Sequence, residues 1–463
     1  MRLKNVCLLQ NVRLKNVASH HFLVYTLCMQ RIFLSKLKQW KDSKNRKPLI
    51  IQGTRQVGKT WVMKEFGKTC FEKTVYINFE NNPRIKNIFE QDFDIKRIIL
   101  LISAETGITI EAKNTLLIFD EIQECPRALT SLKYFYEEQS DYAIVCAGSF
   151  LGIALHSGTS FPVGKVDFLT LYPLSFREFL LALNEDALVQ LLDIHDQMMI
   201  KALKSKFIRR LKEYYFVGGM PEAVLSFIEE NDFNKVRSVQ KNLLNYYEQD
   251  FSKHAPINQV PRLNLVWNSI PKQLSKENKK FVYGLLRTGA RAKDFEIALL
   301  WLKDCRLIHI VHNVSKPHYP LKSYEELDAF KIYLFDIGLL CAMGDIDVKS
   351  VVDENTFFTE FKGSLTEQFV LQELRANYDF LLYYYTTPNS SGEIDFLTQI
   401  ENKIIPIEVK ASENLQSKSL KAFHQKWNNE ISVRTSLSDF RKDDWLTNIP
   451  LYEICELLEL IKQ

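Results

Sequence analysis

An α/β fold, a parallel doubly wound sheet with helices on both faces, is what this sequence predicts for its first part, and three observations carry that reading. Residues 49 to about 170 alternate apolar strand runs with helical patterns, the sign of a parallel sheet joined by crossover helices. Gly53-Thr54-Arg55-Gln56-Val57-Gly58-Lys59-Thr60 stands between the apolar run Leu49-Ile50-Ile51 and the helical pattern Trp61 to Phe66. A complete G-x-x-x-x-G-K-[ST] phosphate loop therefore has the strand and helix it requires. Thr115-Leu116-Leu117-Ile118-Phe119 then runs into Asp120-Glu121. Those acids close a buried strand at the end where open α/β sheets bind ligands.

The chemistry of the loop follows from its residue types. Gly53 and Gly58 let the backbone turn tightly and approach phosphate oxygens. Loop amides and the helix N-terminus face the anion, and the helix dipole adds to the attraction. Gly53, Thr54, Arg55, Gln56, Val57, Gly58, Lys59 and Thr60 are thus expected to hold ATP, with Lys59 reaching the β- and γ-phosphates. Thr60 and Asp120 are the expected Mg²⁺ partners, Asp120 through water, and Glu121 is placed to orient or deprotonate the attacking water. An acidic pair after a strand is more often a loop end or a helix cap; the upstream loop makes this one the second half of a site.

At 463 residues the chain needs more than one core, so two to four domains are expected. Net charge is only +4, so partners must be argued from local patches. Eight cysteines form no C-x-x-C and have no nearby His cluster, which argues against zinc and disulfides and suits a reducing cytoplasm. No apolar run approaches the roughly 18 to 20 residues that cross a membrane. Arg-Leu-Lys-Asn-Val occurs at 2–6 and again at 13–17. Residues 1–28 read as an extension, with a start assigned too early and Met29 as the first residue favoured, and a short basic arm as the alternative.

Four segments result: the extension 1–28, the phosphate-loop domain 29–180, a mostly helical segment 181–355 and an α+β unit 356–463. Helices leading into Leu307-Ile308-His309-Ile310-Val311 suggest a winged helix in the second. In the last, Leu365 to Leu374 reads as a helix, and Leu381–Tyr385, Glu393–Leu397 and Ile404–Val409 read as short strands. Strand alternation puts Glu408 and Lys410 on one face, and Asp395, on the neighbouring strand, is placed to meet them. Two carboxylates can hold Mg²⁺ and a lysine can activate water, with Glu367 completing the cluster from the helix. A solvated strand face is the competing reading of E-x-K alone.

Taken together, these segments resemble a known family. Gly53 to Thr60, Phe119 to Gln123 and Ala147-Gly148-Ser149 carry the resemblance, with Leu171 to Phe179, Gly218 to Val224, Lys331 to Leu339, Gly363 to Glu367 and the Asp395/Glu408/Lys410 set. The family is the bacterial and archaeal AAA-type ATPases fused to a C-terminal domain of unknown function, itself similar to the PD-(D/E)xK restriction-endonuclease-like fold. The resemblance implies that Ser149 reads the γ-phosphate and that Lys165, where the family has an arginine, is the finger residue. A lysine lacks the bidentate fork of arginine, so slow hydrolysis is expected, and a surface lysine is the alternative. The resemblance allows an oligomer and leaves the C-terminal unit as either an active nuclease or a binding fold.

Lys272, Lys276, Lys279, Lys280, Arg287, Arg291 and Lys293 make a basic run that would suit DNA backbone, with a solvated helix as the alternative. A second run, Lys201 to Lys212, reads as an ordinary solvent face. Tyr383, Tyr384 and Tyr385 read as sheet packing rather than base-stacking residues.

Overall fold

The structure is a computed structural model that describes residues 30–148, 161–276, 279–352, 362–387, 392–413 and 416–462. The duplicated N-terminal segment and Ser149 lie outside the described residues. The first layer system contains α1 (Phe33–Asp42), β1 (Leu49–Gln52), α2 (Lys59–Cys70), β2 (Lys73–Asn78), α3 (Pro83–Glu90) and α4 (Ile95–Thr106). It continues with β3 (Thr115–Asp120), α5 (Pro126–Glu138), β4 (Ala143–Ala147) and β5 (Asp167–Thr170). Its five strands are parallel in the order β2-β3-β4-β1-β5. Because side chains alternate along a strand, Ile50, Leu117, Phe119 and Ile144 pack beneath α3, α4 and α5. Leu49, Ile51, Ile118 and Val145 pack with Leu37 of α1 and Val62 and Phe66 of α2. Both faces are covered, which is why these strands read as continuous apolar runs.

Helices follow: α6 (Phe176–Ala182), α7 (Asp186–Ile194), α8 (Gln197–Ala202), α9 (Lys204–Val217), α10 (Pro221–Glu230), α11 (Phe233–His254), α12 (Val260–Leu274) and α13 (Ala292–Asp304). Then come β6 (Ile308–Val314), β7 (Glu325–Leu334), α14 (Ile337–Met343) and α15 (Val348–Val352). Two of the quoted motifs lock together here. Asp336 accepts hydrogen bonds from Gly219 N at 2.7 Å and Leu339 N at 2.9 Å, so one carboxylate caps α14 and holds the turn before α10. A β-carbon at Gly219 would lie 2.2 Å from the Leu174 carbonyl, so only glycine fits. Pro221, next in that turn, stands 3.7 Å from where a Gly58 β-carbon would be, which brings the helical segment against the phosphate loop.

The C-terminal unit comprises α16 (Lys362–Asn377), β8 (Tyr383–Thr386), β9 (Glu393–Ile400), β10 (Lys403–Val409), α17 (Lys418–Trp427), β11 (Ser432–Ser436), β12 (Arg441–Lys442), β13 (Leu446–Pro450) and α18 (Leu457–Lys462). The order α12, α13, β6, β7 is helix, helix, hairpin, but β6 also pairs in parallel with β8. The hairpin is therefore built into one eight-stranded sheet, β12-β13-β11-β10-β9-β8-β6-β7. Helix α16 is buried from Ser364 to Leu374. Its glutamines hold the backbone of the preceding segment: Gln368 bonds both N–H and C=O of Leu334, and Gln372 accepts from Ile337 N. Among the described residues no helix is long and apolar enough to cross a membrane.

Candidate functional site

At the C-terminal end of β1 the phosphate loop wraps toward α2. Gln56 and Gly58 adopt positive φ, 61° and 98°, and Gly53 is pressed against the Leu171 carbonyl, 2.5 Å from the position its β-carbon would take. Lys59 is buried, and its ammonium donates to the carbonyls of Gly53 at 2.9 Å and Thr54 at 2.8 Å. Burial pulls its pKa down to about 8, against the opposing pull of Glu121 and Asp120. An ammonium held this way gains from an arriving anion.

One strand over, the Thr60 hydroxyl donates to Asp120 Oδ2 at 2.7 Å. Tyr76 on β2, a residue the motifs did not single out, donates to the same oxygen at 3.0 Å. Burial and the neighbouring carboxylate push the Tyr76 phenol up to about 12, so it stays a donor at any working pH. Glu121 sits at φ 50°, ψ 46°, a left-handed conformation that costs a non-glycine residue energy and is found at functional sites. Gln123 donates to its carboxylate at 2.7 Å. The Thr60 hydroxyl and the Asp120 carboxylate make an all-oxygen pair of the kind Mg²⁺ takes, so the residues present fit the ion.

The loop is tied to the helical segment by α11. Tyr247 donates to the Arg55 carbonyl at 2.7 Å, and Arg55 pairs with Asp250 at 2.5 Å. Arg55, Glu80, Glu121, Gln123, Glu124, Lys253 and His254 line a cleft beside the loop. Lys165 is elsewhere. It precedes the N-terminal end of β5 and pairs with Glu137 at 2.9 Å, at the end of the strands opposite to the loop. Within one chain it does not reach the phosphate site, because β5 runs parallel to β1 and only its far end arrives there.

The C-terminal constellation assembles differently from the expectation. Glu367 pairs with Lys279, lies 3.9 Å from Lys331 and accepts from the Tyr333 hydroxyl at 3.1 Å. Lys331, with no exposed side-chain surface, also pairs with Glu393. Asp395 accepts from Val409 N at 2.7 Å. Burial, and next the Glu367 charge, raise its pKa well above the ordinary carboxylate range, whereas the two lysines hold Glu367 below it. Glu408 pairs instead with Lys410 at 2.9 Å. Alternation places that pair on the face opposite Ile405 and Ile407, which join the core with Leu365 and Phe369 of α16. Among the described residues no group of three or more His, Cys, Asp or Glu side chains could hold a metal. Glu367, Asp395, Glu408 and Lys410 thus divide between two places: Glu367 is engaged by Lys279, Asp395 accepts from the Val409 N–H, and Glu408 pairs with Lys410.

The basic runs also part company. Lys272, Lys280, Arg287, Arg291 and Lys293 are exposed, while Lys279 turns inward to Glu367. The second run is an ionic seam, not a plain solvent face: Lys201 and Lys204 pair with Asp439, and Lys206 and Arg210 with Glu185. Tyr383, Tyr384 and Tyr385 are buried.

Residues 45–180 match the AAA domain, residues 208–350 the Domain of unknown function (DUF8612) and residues 362–454 the Domain of unknown function (DUF4143). Solved structures that align with the chain include the Walker-type ATPase PABY2304 of Pyrococcus abyssi, at 14% identity over 68% of this chain and 96% of that one, TM-score 0.45. The Aeropyrum pernix ORC1 protein in complex with DNA aligns at 11% identity over 68% and 91%, TM-score 0.27. C. elegans PCH-2 aligns at 15% identity over 49% and 68%, TM-score 0.26. No curated protein matches the chain. The AAA-domain match thus takes in the phosphate loop, Asp120 and Glu121.

Proposed function

We propose that the protein is a slow, Mg²⁺-dependent ATPase whose nucleotide state sets the position of a C-terminal unit that binds DNA without cutting it. The observation that carries the first half is the meeting of Lys59, Thr60 and Asp120 at the end of β1 and β3. Loop amides and Lys59 bind the triphosphate, Thr60 and Asp120 hold the metal, and Glu121, braced by Gln123, orients the attacking water. Bound Mg²⁺ would neutralise charge developing on the β- and γ-phosphate oxygens. The Arg55–Asp250 and Tyr247 contacts, with Pro221 against Gly58, offer a route from the loop to the helical segment. A phosphate-dependent movement there is the kind of bias nucleotide switches use.

The α-β-β-β-α-β order of residues 362–436 supports the restriction-endonuclease-like resemblance, but the lysines seated on Glu367 and Glu393 speak for binding over cleavage. Steady-state ATP hydrolysis by wild type, Lys59→Ala and Glu121→Gln tests the enzyme reading. Lys59→Ala should abolish turnover and Mg²⁺·ATP binding, and Glu121→Gln should keep binding while losing roughly 10²- to 10⁴-fold in rate. Wild-type turnover no faster than either variant would leave ATP as a conformational ligand only.

A further inference from the structure

Tyr76 meets Asp120 through strand register. Strands β2 and β3 run parallel with Tyr76 beside Ile118 and Asn78 beside Asp120. Asp120 is therefore the diagonal neighbour of Tyr76, a span that a tyrosine side chain covers. Tyr76 and Ile118 both pack on the face turned to α2, and alternation puts Asp120 on that face too. Thr60 and Lys64, four residues apart on α2, share the side of the helix above them. The Lys64 ammonium lies 3.8 Å from the centre of the Tyr76 ring. The Thr60 hydroxyl and the Tyr76 phenol donate to the same carboxylate oxygen, Oδ2 of Asp120.

A carboxylate offers about four lone-pair sites, two on each oxygen. The two hydroxyls fill both sites on Oδ2. The Glu121 N–H, at 3.1 Å, takes one on Oδ1, and the other stays open among the described residues. Thr60 keeps its own lone pairs for an ion while it donates to Asp120. We propose that Tyr76 is a positioning residue that gives this site its preference for Mg²⁺. By filling Oδ2 beside Thr60, it keeps Asp120 from closing directly on the ion and leaves it contact through water. Mg²⁺ gives up its waters reluctantly, whereas Ca²⁺ takes carboxylate oxygens directly in looser shells. The inference rests on the nucleotide-binding half of the proposed function and adds to it a residue outside both sequence motifs.

Calorimetric titration of ATP into the full-length protein, in Mg²⁺, in Ca²⁺ and in EDTA, tests it. Every protein carries Glu121→Gln, so that the nucleotide survives the run. The parent should favour ATP with Mg²⁺. Tyr76→Phe keeps the ring beneath Lys64 and removes the donor. It should lower the ratio of Mg²⁺ to Ca²⁺ affinity about tenfold, the worth of one hydrogen bond to a charged group, and leave metal-free affinity within about twofold. Lys64→Ala, a change at an exposed side chain that frees the ring and spares the hydroxyl, should move the ratio the same way by about threefold. A parent that does not distinguish the two ions, or an unchanged ratio in Tyr76→Phe, overturns the inference alone. So does a metal-free affinity that falls as far as the Mg²⁺ affinity, since Tyr76 would then merely support the loop. A parent that binds ATP in none of the three media fails the ATPase reading and takes the inference with it.

Discussion

Two buried lysines, Lys59 in the phosphate loop and Lys331 in the hairpin, show how the same side chain serves opposite ends. Lys59 is surrounded by carbonyl oxygens, and desolvation wins, so its pKa falls to about 8. Lys331 is more deeply buried, yet Glu367, Glu393 and Asp395 outweigh desolvation, and its pKa rises. The first is a charge held in readiness for an anion that comes from outside. The second is a charge already spent within the protein. The two lysines are thus told apart by whether their charge is balanced by carboxylates before any ligand arrives.

The comparison is broken most directly at Glu367. Glu367→Ala takes the carboxylate from Lys279 and leaves Lys331 with Glu393 alone as its ion-pair partner, and should cost roughly 3–5 kcal/mol, read from the denaturant midpoint. A variant of unchanged stability that loses Mn²⁺ affinity would instead make Glu367 a metal ligand. Gly219→Ala forces a β-carbon onto the Leu174 backbone and should destabilise by roughly 1–3 kcal/mol, with weaker nucleotide binding because the adjoining Pro221 supports Gly58. A pH series sharpens the lysine contrast. The free Lys59 ammonium begins to lose its proton near pH 8, and a bound triphosphate needs it charged. ATP affinity should therefore be full below about pH 8 and fall toward tenfold per pH unit above it by calorimetry, with no such slope in Lys59→Ala. The smallest effect belongs to Arg55→Ala. Its partly exposed pair with Asp250 should contribute under about 1 kcal/mol to stability, so a larger change in ATP turnover than in melting temperature would mark it as a coupling residue.

The phosphate site was legible because Lys59 and Thr60 lie in one contiguous loop and Asp120 ends an apolar strand. The C-terminal cluster was not, because the residue that decides it, Lys279, lies 88 positions from Glu367 and looked like one more cation in a basic run. Strands β11 and β13 escaped the apolar period for a related reason. Their buried positions include Arg434, Ser436 and Asn448, which satisfy one another, Arg434 and Ser436 both bonding Asn448 at 2.9 Å. A periodicity counted from apolar residues cannot see polar ones that are buried in pairs. Tyr76 was missed because a tyrosine in a strand is ordinary, and only the fold shows what its hydroxyl meets. Helix α16 was read as a helix, yet its all-round burial became clear only once its glutamines were seen to bond backbone.

The parallel pairing of β6 with β8 carries a last consequence. The bounds of the two matched domains of unknown function, 208–350 and 362–454, suggest a cut between residues 350 and 362, but a chain ended there would leave the backbone of His312 and Asn313 bare, where Tyr383 and Tyr384 had paired. Bare strand margins recruit other chains, so the shortened protein would be prone to self-association. Any exchange of the terminal unit for another would have to deliver a replacement strand to that seam.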